Sequence, residues 1–178
     1  MVLVWDWPLR AFHWALAFFV LLAWVTPNRY DTLHRLAGYT VLGLIAFRLV
    51  WGFVGKQHSR YRHIMRLLLA MPRYLQNLAR GKAGRYRGLN PAGAAMLVAL
   101  LQLLAISGIS GWMQITVRFF GVWWVEDIHT YSSNAVMVMV LLHVFGVLMI
   151  CVLRRENLPR AMITGWKHRA TRSGRRVT

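Results

Sequence analysis

The feature that most restricts how this chain can fold is a run near its C-terminal end. From residue 128 to residue 153 no side chain carries a fixed charge. That is long enough to cross the hydrocarbon of a bilayer as one helix. Two histidines sit on it, His129 and His143. At 1.5 Å and 100° per residue, their spacing separates them by about 21 Å along a helix and by about 40° around it. Both therefore occupy one stripe, one near the start of the helix and one well inside. An ionisable side chain inside a membrane span is a functional candidate by default, because an unpaired polar group in hydrocarbon is costly.

Composition agrees with a membrane chain. Hydrophobic residues make up 57% of the 178, too many for an ordinary soluble domain. The formal net charge of +17 would by itself suggest nucleic acid, but its distribution argues otherwise. Of 22 Lys and Arg, nine lie within residues 56–87 and eight within 154–176, each block flanking hydrophobic runs. The connections on the other side are nearly free of bases. This is the positive-inside pattern, so the charge reports orientation, with anionic membrane lipid as a secondary partner and no nucleic acid.

Hydropathy and turn residues predict an all-α integral membrane protein, a four-transmembrane-helix bundle in one domain over residues 1–178. The helices are expected at about 9–25, 33–54, 92–113 and 128–153. A basic loop covers 55–91 and a basic tail covers 154–178, irregular past residue 167. Both basic blocks then face the cytoplasm, and so do both termini. Pro27 closes the first span and Pro91 suits the first turn of the third. Within the loop, residues 64–78 form an amphipathic surface stretch that Pro72 interrupts. Residues 119–127, with Trp123 and Trp124, read as an interfacial segment. The first hydrophobic run lacks a basic leader and a small-residue cleavage site, so a retained helix is expected there. Cys151 is the one cysteine, and C-x-x-C-H does not occur, which excludes covalent haem attachment.

Topology sorts the span histidines by depth. His13 lies toward the cytoplasmic side and His34 near the outer face; His129 is near the outer face and His143 deeper. Two levels result, His34 with His129 outside and His13 with His143 inside, each drawing on two helices. The inner match is looser, since His13 is seven residues from Asp6 and His143 eleven from Arg154. Such pairs suit a flat metal cofactor with one imidazole on each side. Haem iron takes two axial ligands in that way, whereas zinc wants three or four converging protein ligands. A di-iron centre wants carboxylates, and the expected spans contain no Asp or Glu. Gly38 and Gly146 lie on the faces of His34 and His143, where they would admit a porphyrin edge or simply serve helix packing. Arg48, fourteen residues after His34, falls at the inner level and needs an anion. A haem propionate is the expected partner, snorkelling toward the cytoplasm the alternative. His58, His63 and His168 read as solvated surface residues.

Particular motifs add a resemblance. V-W-D-W-P-L-R-A-F-H-W at 4–14, L-H-R-L-A-G-Y at 33–39 and F-R-L-V-W-G-F-V-G at 47–55 are three of them. N-P-A-G-A-A-M at 90–96 and R-E-N-L-P-R-A-M-I-T-G at 155–165 complete the set. Over nearly its whole length the chain resembles the bacterial cytochrome b561 and nickel-iron hydrogenase b-type cytochrome family. The resemblance implies a four-helix bundle in the bacterial inner membrane, with two non-covalent b haems on His13, His34, His129 and His143. It implies electron exchange between quinone and a redox partner, such as a c-type cytochrome, a dehydrogenase or a hydrogenase, and it places the family's span-two arginine on Arg48. Residues 119–124 are a candidate docking or quinone-adjacent surface. Two other readings stay open: a stand-alone oxidoreductase acting on superoxide or another small substrate at the outer haem, and a haem-free membrane anchor.

Overall fold

The chain's structure, a computed structural model, describes residues 2–3, 5–27, 31–55, 60–81, 86, 89–154 and 157–167. A short strand, β1 (Val2–Leu3), leads into α1 (Trp7–Val25). Pro8 sits in the first turn of α1, where its missing N–H costs nothing. The helix ends at Thr26, whose hydroxyl donates to the Leu22 carbonyl at 2.7 Å. Next come α2 (Asp31–Val54), α3 (Tyr61–Leu69) and α4 (Met71–Ala79). Asn90 then caps α5 (Pro91–Gln114) by accepting from the Gly93 amide at 2.6 Å. The long helix α6 (Trp123–Arg154) follows, then α7 (Leu158–Thr164) and β2 (Trp166–Lys167).

Helices α1, α2, α5 and α6 are each long and apolar enough to cross a membrane. α6 begins at Trp123, five residues before the sequence expectation. The chain turns at Gly121, with φ of 71°, and no later residue forbids a helix. Glu126 in the first turn favours that helix end. What reads as an interfacial segment is thus a turn over 115–122 followed at once by helix. The amphipathic stretch breaks at Ala70, and Pro72 opens α4 in a position where proline is tolerated. Ile64 and Leu67 of α3 pack on Ala94 of α5, while Met65, Leu69, Leu75 and Leu78 stay exposed. His63 is half-buried on α3; His58 and His168 lie outside the described residues.

Packing follows chain order, with α1 against α2, α2 against α5 and α5 against α6. Gly108 lets α5 approach α2: a Cβ there would meet Leu42 Cδ2 at 2.7 Å. A core of Val41, Ile45, Leu104 and Val136 joins α2, α5 and α6 midway along the spans. In contrast, α6 makes at most sparse contact with α1 and α2. The ring of four helices is therefore open along one side of α6.

At one end of the bundle the two extremities of the described chain meet. β1 pairs antiparallel with β2, Val2 opposite Lys167 and Leu3 opposite Trp166. Asn157 accepts from the Arg160 amide at 2.9 Å to start α7, and Gly165, with φ of 82°, ends it. This end also carries α3 and α4, and is called the basic end below. Residues 115–122 lie at the other, short-loop end.

Candidate functional site: two facing histidine pairs

Helix geometry brings the four span histidines together in the two pairs expected from their depths. The ring centres of His34 on α2 and His129 on α6 are 6.1 Å apart, with the rings perpendicular at 89°. Those of His13 on α1 and His143 on α6 are 6.3 Å apart at 54°. Each pair spans the side of the bundle where α6 and its partner helix hardly touch.

Metal–imidazole bonds of about 2.0–2.1 Å, with roughly 1.1 Å from nitrogen to ring centre, put two trans imidazoles about 6.3 Å apart centre to centre. Both pairs fall near that separation. Among the described residues no three His, Cys, Asp or Glu side chains converge as a metal cluster. The donor set at each level is thus two imidazoles, too few for zinc and suited to an ion whose other ligands come from a macrocycle. These residues fit haem.

Backbone carbonyls orient the rings at the first pair. His34 Nδ1 lies 2.8 Å from the Ala23 carbonyl, and His129 Nδ1 lies 2.8 Å from that of Ser107. A carbonyl only accepts, so Nδ1 carries the proton in each ring and the Nε2 lone pair is left free. That is the usual second interaction of a ligating histidine. Gly111 completes the seat of His129, since a Cβ there would stand 2.8 Å from Cε1 and 3.0 Å from Nδ1. Ser107 and Ser133 fix the α5–α6 register through hydroxyls 2.7 Å apart. Small residues along this stretch of α5 permit close helix packing, and the three-dimensional register shows that the stretch also seats a histidine.

At the other pair the His13 ring meets Trp14 edge-on at 5.3 Å, and His13 Nδ1 is buried with no partner. An open cleft of about 470 Å³ lies one turn away, lined by Trp7, Arg10, Ala11, Trp14 and Ile163. Arg48 is buried, 3% exposed, and its Nη1 has no hydrogen-bond partner among the described residues. It does not snorkel.

Gly38 and Gly146 have open space where a Cβ would stand, with no atom within 4 Å. Neither serves helix packing, unlike Gly108. If a porphyrin edge fills that space, Gly38→Ala should leave the thermal stability of the bundle unchanged or slightly raised. It should also weaken haem retention at the His34/His129 level several-fold, by overpacking. Haem content measured beside the melting temperature checks this; equal retention in both proteins contradicts it.

A family model described as prokaryotic cytochrome b561 matches residues 4–165. A relative from Bradyrhizobium diazoefficiens, described as a probable Ni/Fe-hydrogenase B-type cytochrome subunit, is 26% identical. The alignment covers 92% of this chain and 85% of the relative. No solved structure matches.

Proposed function

The chain belongs to the prokaryotic cytochrome b561 family, and from that premise we propose that its histidine pairs hold two b haems in electron transfer between a quinone pool and a redox partner. By membership this is a multi-pass bacterial inner-membrane protein and a b-type cytochrome of electron transfer, and the family implies haem b. The spacing of the two imidazole pairs, 6.1 and 6.3 Å between ring centres, supports two haems.

In this reading His34 and His129 would hold one haem at the short-loop end, and His13 and His143 would hold another at the basic end. Arg48 balances a propionate, and Gly38 and Gly146 leave room for porphyrin edges. Bound there, haem supplies reversible one-electron chemistry without an open iron position. The protein's part is to hold ring orientation and exclude water. The Ser107 and Ala23 carbonyls do the first, and the apolar core between the levels does the second. The basic end faces the cytoplasm, where its arginines meet anionic headgroups.

The partner is a redox protein docking at the membrane. The relative's description favours a hydrogenase-type partner; a c-type cytochrome or another dehydrogenase has the same place in the scheme. Quinone suits the cleft beside Trp14, apolar with Arg10 as one polar handle. A stand-alone reaction with superoxide draws no support from the described short-loop end. There Arg35 is paired with Asp31 at 3.1 Å and Arg118 lies over the Phe119 ring.

The test is rapid mixing of the purified oxidised protein with a short-chain quinol. The expected result is reduction of the haem absorbance with saturating quinol dependence, slowed at least several-fold in Trp14→Ala. Absence of reduction by any quinol, with haem present, would remove quinone from the scheme.

A further inference from the structure

Among the described residues, five buried polar atoms without hydrogen-bond partners belong to the basic end: Asp6 Oδ1, Arg10 Nε, His13 Nδ1, Arg48 Nη1 and the Tyr61 hydroxyl. Buried polar groups are nearly always paired, so such a concentration calls for something polar that completes it. Arg48 is the focus. Its Cζ lies 5.8 Å from the centre of the Tyr61 ring, and Asp6 and Tyr61 are its electrostatic neighbours. Asp6 does not neutralise it at contact. One carboxylate oxygen accepts from Trp51 Nε1 at 3.3 Å, and Asp6 forms no ion pair with Arg48. Arg10 is engaged elsewhere, its Nη1 donating to the Ile163 carbonyl, so among the described residues Arg48 has no counter-ion at contact. A single anion is missing, and a carboxylate matches the planar donor set of a guanidinium.

Tyr61 is held beside Arg48 by packing specific to it. Gly52 lies one turn after Arg48 on α2, and a Cβ there would run into the Tyr61 ring, 2.5 Å from Cζ. Phe53 meets the same ring edge-on at 5.1 Å. Just before Tyr61, the Arg60 side chain donates from Nε to the Gly55 carbonyl at 2.9 Å, tying the start of α3 to the end of α2. The phenol is thus seated, buried and without an acceptor.

We propose that Tyr61, the first residue of α3, completes with Arg48 a clamp for a carboxylate, and that this carboxylate is a propionate of the haem held by His13 and His143. The inference rests on the haem reading above and adds to it a residue from outside the four spans. Tyr61 is a positioning residue: its hydroxyl donates to the carboxylate, and Gly52 makes the space for its ring. One consequence is that haem at this level and the placement of α3 stabilise each other.

The experiment compares purified parent protein with Tyr61→Phe, Gly52→Ala and Arg48→Gln in haem content, potentiometric titration and the propionate bending bands of the resonance Raman spectrum. In Tyr61→Phe we expect a shifted propionate band and a lower potential for the basic-end haem. Its retention should weaken roughly tenfold, as for loss of one hydrogen bond to a charged group. Gly52→Ala should act in the same direction by displacing the ring, and Arg48→Gln more strongly. The other haem should be unchanged in all three. Bands and potential unmoved in Tyr61→Phe but moved in Arg48→Gln would overturn the clamp and leave the Arg48 reading standing. No change in either variant would overturn both. An anionic lipid headgroup would offer Arg48 the same charge. Haem bands that stay fixed while addition of anionic lipid alters the stability of parent but not Tyr61→Phe would assign the clamp to lipid, against the proposal. A parent protein without haem would instead sink the reading on which the inference rests.

Discussion

Replacing His129 with Ala should halve the haem content of the purified protein, from two per chain to one, with the surviving haem keeping its potential within the range set by loss of a neighbouring charge. The expectation follows from the pairing of His34 with His129 across the gap beside α6, with ring centres 6.1 Å apart. His143→Ala should remove the other haem by the same logic. The fold itself should survive His129→Ala. The substitution forfeits one hydrogen bond, to the Ser107 carbonyl, a net loss of about 1 kcal/mol. The core of Val41, Ile45, Leu104 and Val136 does not include the histidine. Haem quantification beside a thermal melt separates ligand loss from unfolding. A variant that melts like the parent and still carries both haems would refute the assignment of His129.

The second large effect is expected at a residue with no chemistry of its own. Gly111→Ala would put a methyl group 2.8 Å from His129 Cε1, closer than carbon atoms settle. The ring cannot simply slide away, because its Nδ1 is tied to the Ser107 carbonyl at 2.8 Å. Overpacking costs about 1–3 kcal/mol, while glycine to alanine within a helix returns about 1 kcal/mol. The two nearly offset in global stability, so the melting temperature should barely move. The cost instead falls on the orientation of one imidazole, and the haem at that level should be retained about tenfold less tightly. Absorbance during competition with a haem-binding protein reads this directly. Equal retention in parent and variant would show that the ring relaxes without loss.

Much of this was legible in the sequence, for a physical reason. In a membrane span the rise per residue converts position into depth, so four histidines on three helices could be sorted into levels by counting. The buried state of Arg48 followed in the same way, from its register with His34. The break near Pro72 and the helix start at Pro91 are local backbone effects, readable from a few neighbouring residues. What counting missed is the set of contacts between segments far apart in the chain. No local pattern signals that Val2–Leu3 pairs with Trp166–Lys167, nor that Tyr61 folds back onto Gly52. The Ser107 carbonyl at His129 depends on the rotation of α5 against α6, which small residues permit without specifying. Helix α6 starts earlier than expected because two tryptophans suggest an interface residue by residue, although nothing in them prevents a helix. The glycines show both outcomes: Gly108 and Gly111 lie in contact, whereas Gly38 and Gly146 face open space, a difference that helix position alone does not encode.

In the proposed function each imidazole pair would hold one haem between its two rings. The most direct measurement is the haem-to-chain ratio of the purified protein, taken together with the response of its dithionite-reduced spectrum to carbon monoxide. Two haems per chain, both low-spin and unmoved by carbon monoxide because their axial positions are filled, is the result predicted. A colourless protein from haem-replete cells, or haem that binds carbon monoxide at once, would contradict it.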